Sequence, residues 1–372
     1  MSFLLYGTGI LALASLLLAL LCAGLLRLFG RRWKRYWRAV LSVHVLLVPL
    51  YLLVVMPLAL SWFVVRGTHT RGDEAGYAGP RFASDGTWQL QSRASLAADA
   101  GAVADGKGGV TAASPFEVRF RSADKVGLRG FLVPPREPTQ MPSVVLAHGL
   151  FRGALEIEAV GAMLRDLGCE VLLLELRSHG KSEKRPLGFG CAEAQDVLAA
   201  VAFLRARSGH DQDPVMLYGV SLGAAAVLLA APKVEHLVAL CIDAPMDDAI
   251  ATGHRMLDLA PKPGHRRFSV PQPFRSLLLW GAEFWSDQDL ASARPLEAAS
   301  RLPKDLPVFV VGGGEDLRMP PEVVRSVYLA LPMQEPTKQL WIREGSDHGA
   351  VFVDDPAEYR KRLQELVARR KP

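Results

Sequence analysis

Hydrophobic and polar positions change texture three times along the chain. Residues 1–26 and 39–65 carry no charged side chain, and each run exceeds the ~20 residues a helix needs to cross about 30 Å of hydrocarbon. Two transmembrane helices are expected there, so residues 1–66 read as a membrane anchor. From 67 to 114 the pattern dissolves into Gly, Ala, Ser and Asp, most plainly between Ala97 and Gly109, which predicts a flexible linker. Order returns in 115–372. Phe116–Phe120 and Val126–Val133 alternate apolar and polar around a turn at Ser122–Lys125, the signature of a hairpin. Short continuous apolar runs follow, beginning at Ser143, Glu170, Val215, Val238, Val308 and Gln339. Helix-period segments over 159–167, 192–205, 224–231, 322–331 and 356–369 separate most of them. Strand and helix in alternation predict an α/β domain with a mostly parallel sheet covered on both faces. Chemistry in such a sheet is expected at the carboxyl ends of the strands. No internal repeat at a solenoid or propeller period is present.

Charge sharpens the division. The chain has 372 residues and a formal charge of +5, which would ordinarily suggest nucleic acid or an anionic membrane as a partner. Yet the first 66 residues hold seven basic side chains and no acid, and the remaining chain is near neutral at −2. Nucleic acid is therefore not an expected partner. Six of those basic residues (Arg27, Arg31, Arg32, Lys34, Arg35, Arg38) lie among large aromatics between the two apolar runs, the pattern of a cytoplasmic loop. The domain after Arg66 is then expected on the non-cytoplasmic side, periplasmic or extracellular. A cleaved signal peptide is the rival for the first run, but that run lacks a basic start. With 50% apolar and 22% charged residues, disorder is excluded for the chain as a whole. Cys22, Cys169, Cys191 and Cys241 have no CxxC spacing, which speaks against a zinc site or a disulfide scaffold.

Gly219-Val220-Ser221-Leu222-Gly223 follows one of the apolar runs and opens an Ala-rich helical segment. In a strand-to-helix turn such a Ser is held in a strained conformation with its hydroxyl at the edge of the sheet. A serine needs a base to take its proton and a third group to orient that base. His348 lies just past the last predicted strand and Asp316 just past the strand before it. Ser221, Asp316, His348 is thus a candidate nucleophile, acid and base in chain order, each at a strand end. Glu315, Asp347 and Asp243 are rival carboxylates. An oxyanion needs donors: the turn His148–Gly153 offers the Leu150 amide, and the residue after the nucleophile offers the Leu222 amide.

These motifs together resemble the α/β-hydrolase superfamily over about residues 116–368. Glu175-Leu-Arg-Ser-His-Gly-Lys-Ser182 resembles the family's D-x-R-G-x-G-x-S loop, with Glu175 in place of Asp and Ser178 in place of Gly. Phe189–Asp196 resembles the segment opening its next helix. The resemblance implies that His179 and Asp196 are structural and that no metal or organic cofactor is required. It also places a small cap at about 246–304. Met256, Leu257, Phe268, Phe274, Leu277–Trp280, Phe284 and Trp285 make that cap rich in large apolar side chains, an acyl-binding wall or packing against the core. The expected activity is hydrolysis of a small-molecule or lipid-like carboxylic ester, or a thioester, through an acyl-enzyme on Ser221. A peptidase or amidase with the same residues, and a non-catalytic binding module held at the membrane, are the alternatives.

Overall fold

The computed structural model describes residues 51–67, 77–91, 116–209, 212–258 and 270–370. The chain divides into two compact units, Met1–Leu60 and Ser61–Pro372. The first predicted membrane helix lies outside the described residues. Of the second apolar run, Tyr51–Val55 form a π-helical turn and Met56–Arg66 an α-helix, α1. Among the described residues no helix is both long and apolar enough to cross a membrane.

The sheet follows the sequence pattern closely. Eight strands form it: β3 (Glu117–Arg121), β4 (Gly127–Val133), β5 (Ser143–Ala147), β6 (Glu170–Glu175), β7 (Val215–Val220), β8 (Leu237–Asp243), β9 (Val308–Gly313) and β10 (Lys338–Arg343). Their order is β10-β9-β8-β7-β5-β6-β4-β3, parallel from β10 to β6 and antiparallel only at the β4 and β3 edge. Strands β5, β7, β8 and β9 are buried almost end to end, because helices cover both faces and leave no polar side. One face packs on α3 (Cys191–Ser208), α4 (Leu222–Ala230) and α8 (Pro321–Ala330); the other packs on α2 (Glu158–Asp166) and α10 (Pro356–Ala368). Between β8 and β9 the chain leaves the sheet for α5 (Ala249–Met256), α6 (Gln272–Ser286) and α7 (Pro295–Ser300), which occupy the expected cap region. A short helix, α9 (Val351–Asp354), precedes α10.

The linker expectation fails for residues 77–91. Arg81–Phe82 and Trp88–Gln89 pair as a two-stranded ribbon, β1 and β2, and the segment is fastened to the domain through one buried acid. Glu158 accepts hydrogen bonds from the Tyr77 hydroxyl (3.0 Å), the Trp88 indole (3.1 Å) and the Gln91 amide (3.0 Å). Burial raises the pKa of Glu158 despite these donors. The Tyr77 ring meets Phe131 edge-on at 5.4 Å, and the Arg165 guanidinium lies 4.6 Å from the Phe82 ring centre. Two aromatic anchors and a satisfied carboxylate thus order a segment whose background composition reads as coil.

The two departures in the 175–182 loop have local explanations. Arg129 stands opposite Glu175 in the β4–β6 register, and the two form a buried bidentate pair, 2.6 Å and 2.5 Å. Glu175 also accepts from the Lys181 amide at 2.8 Å. Ser178 takes a positive φ of 63°, the conformation a Gly adopts freely; its hydroxyl accepts from the Arg185 amide at 2.8 Å and donates to the Arg185 carbonyl. Asp196 is fully buried and paired with Arg177 through the guanidinium and the backbone amide, a structural role consistent with the resemblance. His179 is buried, with Nδ1 2.8 Å from the Arg177 carbonyl.

Candidate active site

Ser221 stands between β7 and α4 with φ 55° and ψ −114°, a conformation that costs a non-glycine residue of order 1–3 kcal/mol. The neighbouring glycines explain why the turn can be so tight. A Cβ on Gly219 would lie 2.3 Å from the Gly223 carbonyl oxygen, and one on Gly223 would lie 2.1 Å from the carbonyl oxygen of Ala147. The Ser221 amide donates to the Asp243 carbonyl at 2.9 Å. Helix α4 therefore starts directly beneath the serine, and its first amides, Leu222 included, have no partner within the helix.

The acid and the histidine arrive on two loops locked to each other. Beyond β9 and β10 the Gly314 amide donates to Arg343 O (2.8 Å) and the Glu315 amide to Ser346 O (2.9 Å). A Cβ on Gly313 would strike the Ser346 and Asp347 carbonyls, so the loops close only over a glycine. This brings His348 Nε2 to 2.8 Å from Ser221 Oγ and His348 Nδ1 to 2.6 Å from Asp316 Oδ2. Asp316 is fully buried, and its other oxygen accepts from the amides of Arg318 (2.8 Å) and Met319 (2.9 Å). With Nδ1–H donating to Asp316, Nε2 is left as an acceptor for the serine proton, the assignment this hydrogen-bond pattern favours.

The rival carboxylates are placed elsewhere. Glu315 and Asp347 are exposed, and Asp347 accepts from the His348 backbone amide. Asp243 is buried below the serine, accepts from the Tyr359 hydroxyl at 3.0 Å, and has its pKa pushed up to about 6 by burial. Tyr359 in turn meets Tyr218 hydroxyl to hydroxyl at 3.2 Å.

On the other side of Ser221 lies the turn after β5. His148 is fully buried; Nδ1 donates to the Gly149 carbonyl (2.8 Å) and Nε2 accepts from the Leu176 amide (3.2 Å). Burial lowers its pKa to about 4, so the ring is neutral and serves as a backbone brace. A Cβ on Gly149 would sit 3.4 Å from the Ser221 Cβ, so Gly149 lies directly beside Ser221. The sequence reading did not find Glu156. Its carboxylate accepts from the Gly149 amide at 2.6 Å and pairs with Arg152 at 3.2 Å, fixing the turn that carries Leu150. The i, i+4 spacing of Arg152 and Glu156 was the only signal for it. In the cap, Trp280 and Phe284 expose 52% and 60% of their surface, so these two do not belong to a closed acyl wall.

Residues 144–362 match the alpha/beta hydrolase family. Among curated proteins the chain is 22% identical over 252 residues to the uncharacterized protein YqkD of Bacillus subtilis, covering 66% of this chain and 77% of that one. It is 30% identical over 167 residues to the thiohydrolase apmlB of Arthrinium phaeospermum, covering 42% of this chain and 53%, about half, of that relative. Among solved structures, the Pyrococcus furiosus esterase Pf2001 superposes with a TM-score of 0.54 at 21% identity, covering 68% of this chain and 91% of the esterase. With the family match running from β5 to α10, the chain belongs to the alpha/beta hydrolase family.

Proposed function

We propose that this chain is a serine hydrolase that cleaves carboxylic esters, with lipid esters and thioesters within its range. The observation that carries the reading is the unbroken hydrogen-bonded line from Ser221 Oγ through His348 to Asp316. Ser221 attacks the acyl carbon while His348 Nε2 takes its proton. Asp316 holds the ring and stabilises the imidazolium that forms. The Leu150 and Leu222 amides receive the oxyanion. Collapse of the tetrahedral species expels the alcohol or thiol, which takes the proton from His348, and water then hydrolyses the acyl-enzyme by the same route. The relatives named a thiohydrolase and an esterase support this bond class. A fluorophosphonate probe should label the wild-type chain and leave Ser221→Ala unlabelled; absence of labelling in both would overturn the reading.

The uncharged runs and the basic loop between them support a membrane anchor with the domain on the non-cytoplasmic side. Reporter fusions at the C-terminus should be active only outside the cytoplasm.

A further inference from the structure

The end of α1 is seated on the cap. Val65 is fully buried with Ala249, Ala282, Leu290 and Ala293, and Arg66 Nε donates to the Trp285 carbonyl at 3.1 Å. The same three helices leave large apolar side chains uncovered: Trp62 and Phe63 on α1, Met256 on α5, Trp280 and Phe284 on α6, each exposing between 44% and 60% of its surface. Trp280 and Phe284 lie one turn apart and stack at 5.5 Å, with Trp285 meeting Phe284 edge-on at 4.8 Å. Single exposed apolar residues are ordinary, but five on adjoining helices, aromatics foremost, mark an interaction surface.

Its position in the chain selects the occupant. Residues 39–65 carry no charged side chain, and the first charge after them, Arg66, is already bonded to α6. No polar spacer separates the uncharged run from the cap. Trp side chains favour the zone where headgroups meet acyl chains, because the ring is apolar and its N–H is not. We propose that the face carrying Trp62, Phe63, Trp280 and Phe284 lies against the headgroup and acyl boundary of the bilayer, so that the cap faces lipid and the site draws its ester from the membrane. This rests on the anchor reading above.

The test uses the full chain in phosphatidylcholine vesicles. The double variant Trp280→Ser with Phe284→Ser should hydrolyse p-nitrophenyl palmitate held in the vesicles about tenfold more slowly, yet hydrolyse p-nitrophenyl acetate in water within twofold of wild type. The pair Trp280→Phe with Phe284→Trp should restore the vesicle rate. Independently of turnover, Trp280→Phe should lose part of the fluorescence quenching that brominated phosphatidylcholine causes in wild type. Unchanged quenching, or equal effects on both esters, overturns the proposal. So does a change of oligomeric state in detergent on introducing the Ser pair, which would assign the face to a second copy. Release of the wild-type chain from vesicles by alkaline carbonate would instead overturn the anchor reading itself, and it is scored separately from the other outcomes.

Discussion

Two histidines flank Ser221 on turns at the carboxyl end of the sheet, one held by main-chain groups and the other by side chains. His148 has both ring nitrogens committed to main-chain groups and is sealed from water. His348 is partly buried, with one nitrogen on a carboxylate and the other on a hydroxyl. The first cannot gain a proton without losing an acceptor and entering low dielectric as a cation. The second has the Asp316 carboxylate 2.6 Å from its Nδ1. Residue type alone does not distinguish the two rings; the partner on each nitrogen does.

The largest effect should come from His348→Ala, with kcat/KM falling about 10,000-fold and the melting temperature little changed. His148→Ala should do the reverse, unfolding the chain more easily by about 2–4 kcal/mol through an unfilled, unsatisfied site. Equal activity losses from the two would break the comparison. Asp316→Asn should cost about 1,000-fold or more by favouring the wrong tautomer, whereas Glu315→Gln and Asp347→Asn should stay within about twofold. Steady-state kinetics on one soluble ester reads all of these.

A pH series sharpens the contrast. The folded pKa of His148, about 4, lies below its ordinary 6.5. Between those values the unfolded chain binds the extra proton and the folded chain does not. The stability His148 contributes is therefore complete above pH 6.5 and is lost as pH falls towards 4, about 3 kcal/mol in all. Asp243 is shifted the other way, from 3.8 up to about 6, so its contribution is lost as pH rises and flattens the wild-type curve in the same window. The difference between wild type and His148→Gln isolates the first effect, and denaturant unfolding at pH 7, 5.5 and 4 should show it shrinking steadily. A smaller loss than those at His348 and Asp316 concerns the brace on that turn: Glu156→Ala should lower kcat about tenfold with KM nearly unchanged, as the Leu150 amide drifts, and Glu156→Gln should recover most of it. A loss confined to KM would assign Glu156 to substrate binding instead.

The sequence read well where physics acts locally. Buried parallel strands are continuous apolar runs, so β5 to β10 emerge within a residue or two of their bounds, and the positions just past them single out Ser221, Asp316 and His348. It read poorly where a residue's meaning depends on a distant partner. Tyr77, Trp88 and Gln91 look like isolated residues in a coil until Glu158, some 70 positions away, collects their donors. Glu175 looks like a departure until Arg129 stands opposite it across a strand pair. Glu156 sits in an unremarkable helical opening, and only the folded turn brings it to the Gly149 amide.

Gly219 and Gly223 contribute no chemical group to the reaction, yet neither has room for one more carbon. In a saturation mutagenesis screen selected for turnover, both positions should therefore be as intolerant as Ser221, with even alanine rejected. A screen of that kind would be selecting on empty volume: at this turn the absence of a carbon is as specific a requirement as the presence of a hydroxyl.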